Sequence, residues 1–187
     1  LGLSRFDALV EYAAKKGVTL AFENLRMVGN LACLVDRYEH VDNVRFCYDC
    51  GHEHCYTKTV PWIDIFTDKI FVAGHSRLGK TALVTAAFDD RFAGACSNDS
   101  GCSGAAITRD KIGENVEVIS RVFPFWFCPG YRQYAGREYD MPFDQHFLTA
   151  LVAPRALCIG SAWEDSWADP AREFLNAAII AQLNHFL

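Results

Sequence analysis

The apolar positions of this chain follow two periods. Phe6, Leu9, Val10 and Ala13 recur at helical spacing, so residues 4–16 are expected as an amphipathic helix. Ser4 and Asp7 mark its start, and Gly17 its stop. Residues 18–23 (VTLAFE) and 44–49 (VRFCYD) are short apolar runs and are expected as strands. Between them, 30–38 reads as a helix with Leu31, Leu34 and Val35 facing inward. Further strands are expected at 69–73, 92–97 and 156–161, and a terminal helix over 171–187. Helices alternating with near-continuous apolar strands imply a parallel sheet covered on both faces. The expected fold class is therefore α/β: three α/β/α layers around a mostly parallel sheet of about five strands.

Composition narrows the partners. With 187 residues, 51% of them hydrophobic and 22% charged, the chain can bury one sizeable core. A net charge of −5 leaves no basic footprint for nucleic acid. No apolar run approaches the roughly 20 residues of a membrane span. No cationic start precedes an apolar run, so no signal peptide is expected. With eight cysteines this places the chain in the cytoplasm with reduced thiols. A longer precursor upstream of Leu1 would leave secretion or the periplasm open.

The strongest local signal is KIFVAGHSRLGKTALVTAAF, residues 69–88. It reads as a strand over 70–73, a tight turn over 74–79, and a helix from Lys80 to about Phe88. Two mechanisms compete for the turn. Gly74-x4-Gly79-Lys80-Thr81 fits a phosphate cradle (a Walker-A-type nucleotide binder) at every fixed position: backbone N–H groups around the phosphates, a lysine on them, and a hydroxyl on magnesium. Gly74-His75-Ser76-Arg77-Leu78-Gly79 also fits a nucleophile elbow, with Ser76 at the apex and backbone N–H groups in an oxyanion hole. There Leu78 occupies the place of the usual second glycine. The turn alone leaves both open, with the cradle ahead.

Downstream motifs reverse that order. They are Ser97-Asn98-Asp99-Ser100-Gly101-Cys102, Gly113-Glu114-Asn115, Pro142-Phe143-Asp144-Gln145-His146, Ala153-Pro154-Arg155 and Glu164-Asp165-Ser166-Trp167-Ala168-Asp169-Pro170. This series, headed by Gly-His-Ser-Arg-Leu-Gly-Lys, resembles the glucuronoyl esterases over about residues 67–174. These are α/β-hydrolase carbohydrate esterases that cleave esters between glucuronic acid on xylan and lignin alcohols. The resemblance implies a uronic acid ester of carbohydrate as substrate and no cofactor. It implies Ser76 as nucleophile and Arg77 as an oxyanion donor. Lys80 and Glu114 would bind sugar, and Trp167 would stack on it. The acid is left between Asp99, after the strand following the elbow, and Asp165, after the next main strand. Asp169 reads instead as a helix cap, and Trp126 as core. Hydrolases of this class run Ser, acid, His along the chain. The histidine after Asp165 is His185, in the terminal helix pattern, so the family's catalytic base has no counterpart in the sequence. His75 and His146 do not match it.

The first 66 residues carry a second signal. Glu23 and Asp49 end their strands, and His52 lies three residues on, which suits a divalent-metal site. GVTLAFENL and VRFCYDCGHEHCY resemble the sugar-phosphate isomerase/epimerase superfamily of xylose-isomerase-like (β/α)8 barrels. The resemblance implies manganese or magnesium on Glu23 and Asp49, with His52 contacting substrate. Cys47, Cys50 and Cys55 suggest zinc by composition but not by spacing. The expected organisation is an isomerase-like segment over 1–66 and a hydrolase-like segment over 67–187, packed as one unit and incomplete relative to either family fold. Strand edges left open would favour self-association. The alternatives to an esterase are an isomerase fragment, a nucleotide binder, and a carbohydrate binder without turnover.

Overall fold

A computed structural model of the chain describes residues 2–60, 62 and 70–183. It divides into two compact units: residues up to Val72 with Arg91–Ala93, and Ala73–Asp90 with Gly94 onward.

The first unit opens with α1 (Gly2–Lys15), then β1 (Leu20–Glu23), α2 (Val28–Arg37), β2 (Val44–Tyr48), α3 (Cys50–Tyr56) and the start of β3 (Ile70–His75). The apolar stripes of α1 and α2 meet in one cluster of Val10, Leu34, Tyr38 and Val44, with Phe6 and Phe22 packed against it. Gly17 ends α1 at φ +66, with its N–H on Ala14 O and that of Val18 on Ala13 O. Asp7 does not mark the helix start. It pairs instead with Arg37, 2.7 Å away, and accepts from the Tyr38 hydroxyl. These charge-assisted bonds hold its carboxyl below the usual carboxylate range. Strand β2 stops one residue early because the Asp49 carboxylate accepts from His52 N at 2.7 Å and caps α3.

The second unit holds the rest of β3, then α4 (Arg77–Phe88), β4 (Gly94–Asn98), α5 (Val116–Val122), α6 (Pro129–Arg132), a 3-10 turn (Glu138–Asp140), α7 (Gln145–Ala150), β5 (Ala156–Gly160) and α8 (Pro170–Leu183). Cys102, Val116 and Ile119 centre a buried cluster, against which Phe123, Trp126 and Tyr131 pack.

The strands form one sheet in the order β1–β2–β3–β4–β5, and the pairs β1–β2, β2–β3 and β4–β5 are parallel. Glu23 stands opposite Cys47, and Asn98 opposite Gly160. This is the expected mostly parallel five-stranded α/β fold with flanking helices. It also corrects the barrel expectation for residues 1–66. A (β/α)8 barrel closes its last strand on its first, whereas the described strands form an open sheet with β1 and β5 at its edges.

Candidate active site

The site grows from the junction of β3 and α4. Strand β3 runs two residues further than its apolar run suggests, and the helix begins at Arg77 rather than Lys80. The whole reversal falls on Ser76, at φ 55 and ψ −120. Such a conformation costs a non-glycine residue on the order of 1–3 kcal/mol and persists only where the surroundings impose it. Three contacts impose it here. Ser76 N donates to Asn98 O at 2.9 Å, and Lys80 N donates to Ser76 O at 3.1 Å. Gly74 lies so close to the first helical turn that a Cβ there would sit 2.2 Å from Leu78 O. Ser76 is exposed, and its side chain makes no capping bond to the helix it begins.

This geometry overturns the phosphate cradle. A cradle needs an open loop of N–H groups with a free lysine and hydroxyl at its rim. Here the turn is closed around Gly74. The Lys80 ammonium donates to Ser100 O and pairs with Glu114 Oε2 at 3.3 Å. Thr81 Oγ1 donates to Arg77 O at 3.1 Å. The groups that triphosphate and magnesium would need are committed elsewhere.

The sugar-site residues suggested by the sequence come together. Lys80 and Glu114 form a pair with side chains only 11% and 8% exposed. Glu114 N donates to Trp167 O at 3.1 Å, and Lys111 Nζ donates to the same carbonyl at 2.9 Å. Gly113, at φ +68, allows this approach, because a Cβ there would lie 2.4 Å from Ser166 O. Trp167 itself is 55% exposed. Lys80 lies one helical turn beyond Ser76, with its N–H on Ser76 O. Arg77 is exposed beside it and lines, with Lys80, Trp126 and Phe127, a largely apolar cleft of about 380 Å³. Trp126 is half-buried, stacked on Phe123 at 3.9 Å.

The two candidate acids occupy different surroundings. Asp99, at φ 43, follows β4. Its Oδ1 accepts from Ala162 N at 2.6 Å, and its Oδ2 accepts from Asn98 Nδ2 at 3.0 Å. The nearest imidazole, His75 Nδ1, is 3.8 Å from Oδ2 and is itself bonded to Asn98. Asp165 spends one oxygen on the N–H groups of Trp167 and Ala168. Asp169 is the cap of α8, and its other oxygen accepts from Ile112 N at 2.8 Å.

Sequence reasoning missed Glu173. It is fully buried on α8 and accepts from Gly101 N at 2.8 Å, from Ser100 Oγ at 3.3 Å, and from the Ser161 hydroxyl. It ties the turn after β4 to the loop after β5. Its place in an apolar helix pattern gave no sign of this, because its partners lie far away in the chain.

The described histidines do not reach Ser76 with a hydrogen bond: His75 turns to Asn98, and His146 Nδ1 is buried without a partner. His185 lies outside the described residues. In the other unit, Glu23, Asp49 and His52 bring ligand atoms within 4.8 Å of one another. His52 Nδ1 is 2.9 Å from Glu23 Oε1. Asn24 orders the cluster, donating to Asp49 O at 2.8 Å. Cys47 sits beside it, and burial, then the Glu23 and Asp49 charges, push its thiol up to about 11.

Comparison with known proteins bears on this arrangement. The family described as "Glucuronyl esterase, fungi" matches residues 57–183. Carbohydrate esterase MZ0003, from an unknown prokaryotic organism, is 50% identical over 132 residues, covering 71% of this chain and 30% of that protein. The 4-O-methyl-glucuronoyl methylesterase of Hypocrea jecorina is 36% identical over 107 residues, covering 54% of this chain and 23% of that one. A promiscuous CE15 esterase from a marine bacterial metagenome superposes with a TM-score of 0.62 at 41% identity, covering 84% of this chain and 34% of that chain. The chain thus spans about a third or less of the length of these relatives. The last match extends beyond residues 67–187 into the N-terminal segment, and the isomerase resemblance there finds no support.

Proposed function

Because the chain belongs to the glucuronyl esterase family, we propose that it hydrolyses glucuronate esters of plant cell-wall carbohydrate through Ser76. The observation that carries this is the exposed serine held at φ 55 and ψ −120 between β3 and α4. Its Oγ attacks the ester carbonyl, and the carbonyl π electrons move onto oxygen. Arg77 and the N–H groups at the start of α4 support that oxyanion. Collapse expels the alcohol, and water then releases the uronic acid from the acyl-enzyme. Lys80 and Glu114 hold sugar hydroxyls, and Trp167 stacks on the ring. Asp99 and Asp165 both remain as the acid that would orient a base.

The proton of Ser76 passes to a general base and from it to the departing alcohol; no described histidine reaches Ser76. Triad enzymes stripped of one member still exceed water by about 10³–10⁴-fold, and turnover of at least that order is expected. The test is hydrolysis of a methyl glucuronate ester. Release of methanol that Ser76→Ala abolishes supports the reading. Equal rates in both proteins overturn it.

A second reading rests on Glu23, Asp49 and His52, whose ligand atoms lie within 4.8 Å of one another. Two carboxylates and an imidazole suit manganese or magnesium, and an ion there would replace the contact between His52 and Glu23. Titration with Mn²⁺, followed by water-proton relaxation, tests it. Binding lost in Glu23→Gln supports the site, and no binding removes it.

A further inference from the structure

The loop after β5, Ser161 to Asp169, carries the most exposed large apolar side chain among the described residues. Trp163 is 87% exposed, although the backbone on either side of it is hydrogen-bonded. Ala162 N donates to Asp99 Oδ1 at 2.6 Å, and Ala162 O accepts from Asp165 N at 3.0 Å. Ser166 N donates to Glu164 O at 3.0 Å, and Asp165 Oδ1 accepts from Trp167 N and Ala168 N. At its far end, Trp167 O accepts from Glu114 N. The loop is therefore fastened to the candidate acid at one end and to the Lys80–Glu114 pair at the other, and a tryptophan stands beside each fastening.

A large ring kept in water on an ordered turn gives the fold no packing. It offers instead a flat apolar face, open to stacking, on a loop anchored at both ends. Neighbouring Glu164 and Asp165 present carboxylate oxygens, which accept from hydroxyl groups and repel anions. A flat apolar face beside hydrogen-bond acceptors suits the C–H face and hydroxyl rim of a pyranose ring. It does not suit a nucleic acid or an anionic membrane surface.

We propose that Trp163 is a second carbohydrate subsite, stacking on a neutral sugar ring of the polysaccharide next to the uronate. This rests on the esterase reading for the place of the uronate, at Lys80, Glu114 and Trp167. Glu164 receives hydroxyls of the neutral ring.

The test is affinity electrophoresis of the full chain through gels containing glucuronic-acid-substituted xylan, beside gels containing none. Thermal melts and fluorophosphonate labelling of Ser76 accompany it. Wild-type protein should be retarded by xylan. Trp163→Ala should lose most of that retardation, about tenfold in apparent affinity, and Trp163→Phe should keep part of it. Both variants should keep the wild-type melting temperature and labelling rate. Equal retardation of wild type and Trp163→Ala, or none for the wild type, overturns the subsite. Failure of Ser76 to label, with retardation still dependent on Trp163, would sink the esterase reading and leave the subsite standing.

Discussion

Two groups of ionisable side chains sit near strand ends in this chain, and they are built differently. Lys80 and Glu114 are almost enclosed, at 11% and 8% exposure. Each is also fastened to a backbone group, Lys80 to Ser100 O and Glu114, through its N–H, to Trp167 O. Glu23, Asp49 and His52 are open, at 40%, 37% and 32%, and hold one another by side-chain contacts. Desolvation makes charges in the first group depend on each other, whereas water screens the second. The first lies one helical turn from an exposed, strained serine, and the second lies at the ends of β1 and β2. Clustered charge alone does not identify a site; enclosure and an adjacent reactive group set the first apart.

The largest way to break this contrast is Gly74→Ala. A Cβ would meet the Leu78 carbonyl, a backbone group that cannot step aside, so a loss of about 3 kcal/mol is expected. Chemical denaturation should show it, and Ser76 labelling should vanish, while the contact between Glu23 and His52 survives in histidine NMR spectra. Next comes Glu114→Gln, which leaves Lys80 enclosed without its counter-charge and should cost about 2–3 kcal/mol. Glu23→Gln, measured in the same denaturation experiment, should cost under about 1 kcal/mol. Equal losses would erase the distinction between the two groups.

A smaller effect concerns Cys47. Its folded value, about 11, lies above its ordinary 9.0. The neutral thiol is the form the fold favours, so its contribution to stability is complete below pH 9 and fades as pH rises toward 11. At pH 8, iodoacetamide should modify Cys47 more slowly than the exposed Cys33, Cys55, Cys128 and Cys158. Glu23→Gln should narrow that gap slightly by removing one of the nearby charges.

Much of the fold was legible because it depends on local pattern. Apolar runs located all five strands to within two residues, and Gly17 stopped α1 as its conformational freedom predicts. The start of α4 was misread because Gly79 looked like turn punctuation. In fact Gly79 is a buried helix residue whose added Cβ would meet Ser100 Cβ at 2.9 Å. Helix α3 was hidden in CGHEHCY, whose histidines and cysteines suggest metal chemistry more than helix; the cap from Asp49 decides it. Residues carried by a short motif, such as Ser76, Lys80 and Trp167, were legible as candidates. Glu173 and Trp163 were not. The first acquires meaning from donors some 70 residues away, and the second from exposure on a fastened loop, and neither can be read from neighbours in sequence.

The central claim is that Ser76 is held out to be acylated. Reaction with a fluorophosphonate, followed by peptide mass spectrometry, tests it most directly. A single adduct on Ser76, absent in Ser76→Ala and in chain unfolded by urea, is the predicted result. An adduct on other serines only, or equal labelling of folded and unfolded chain, would contradict it.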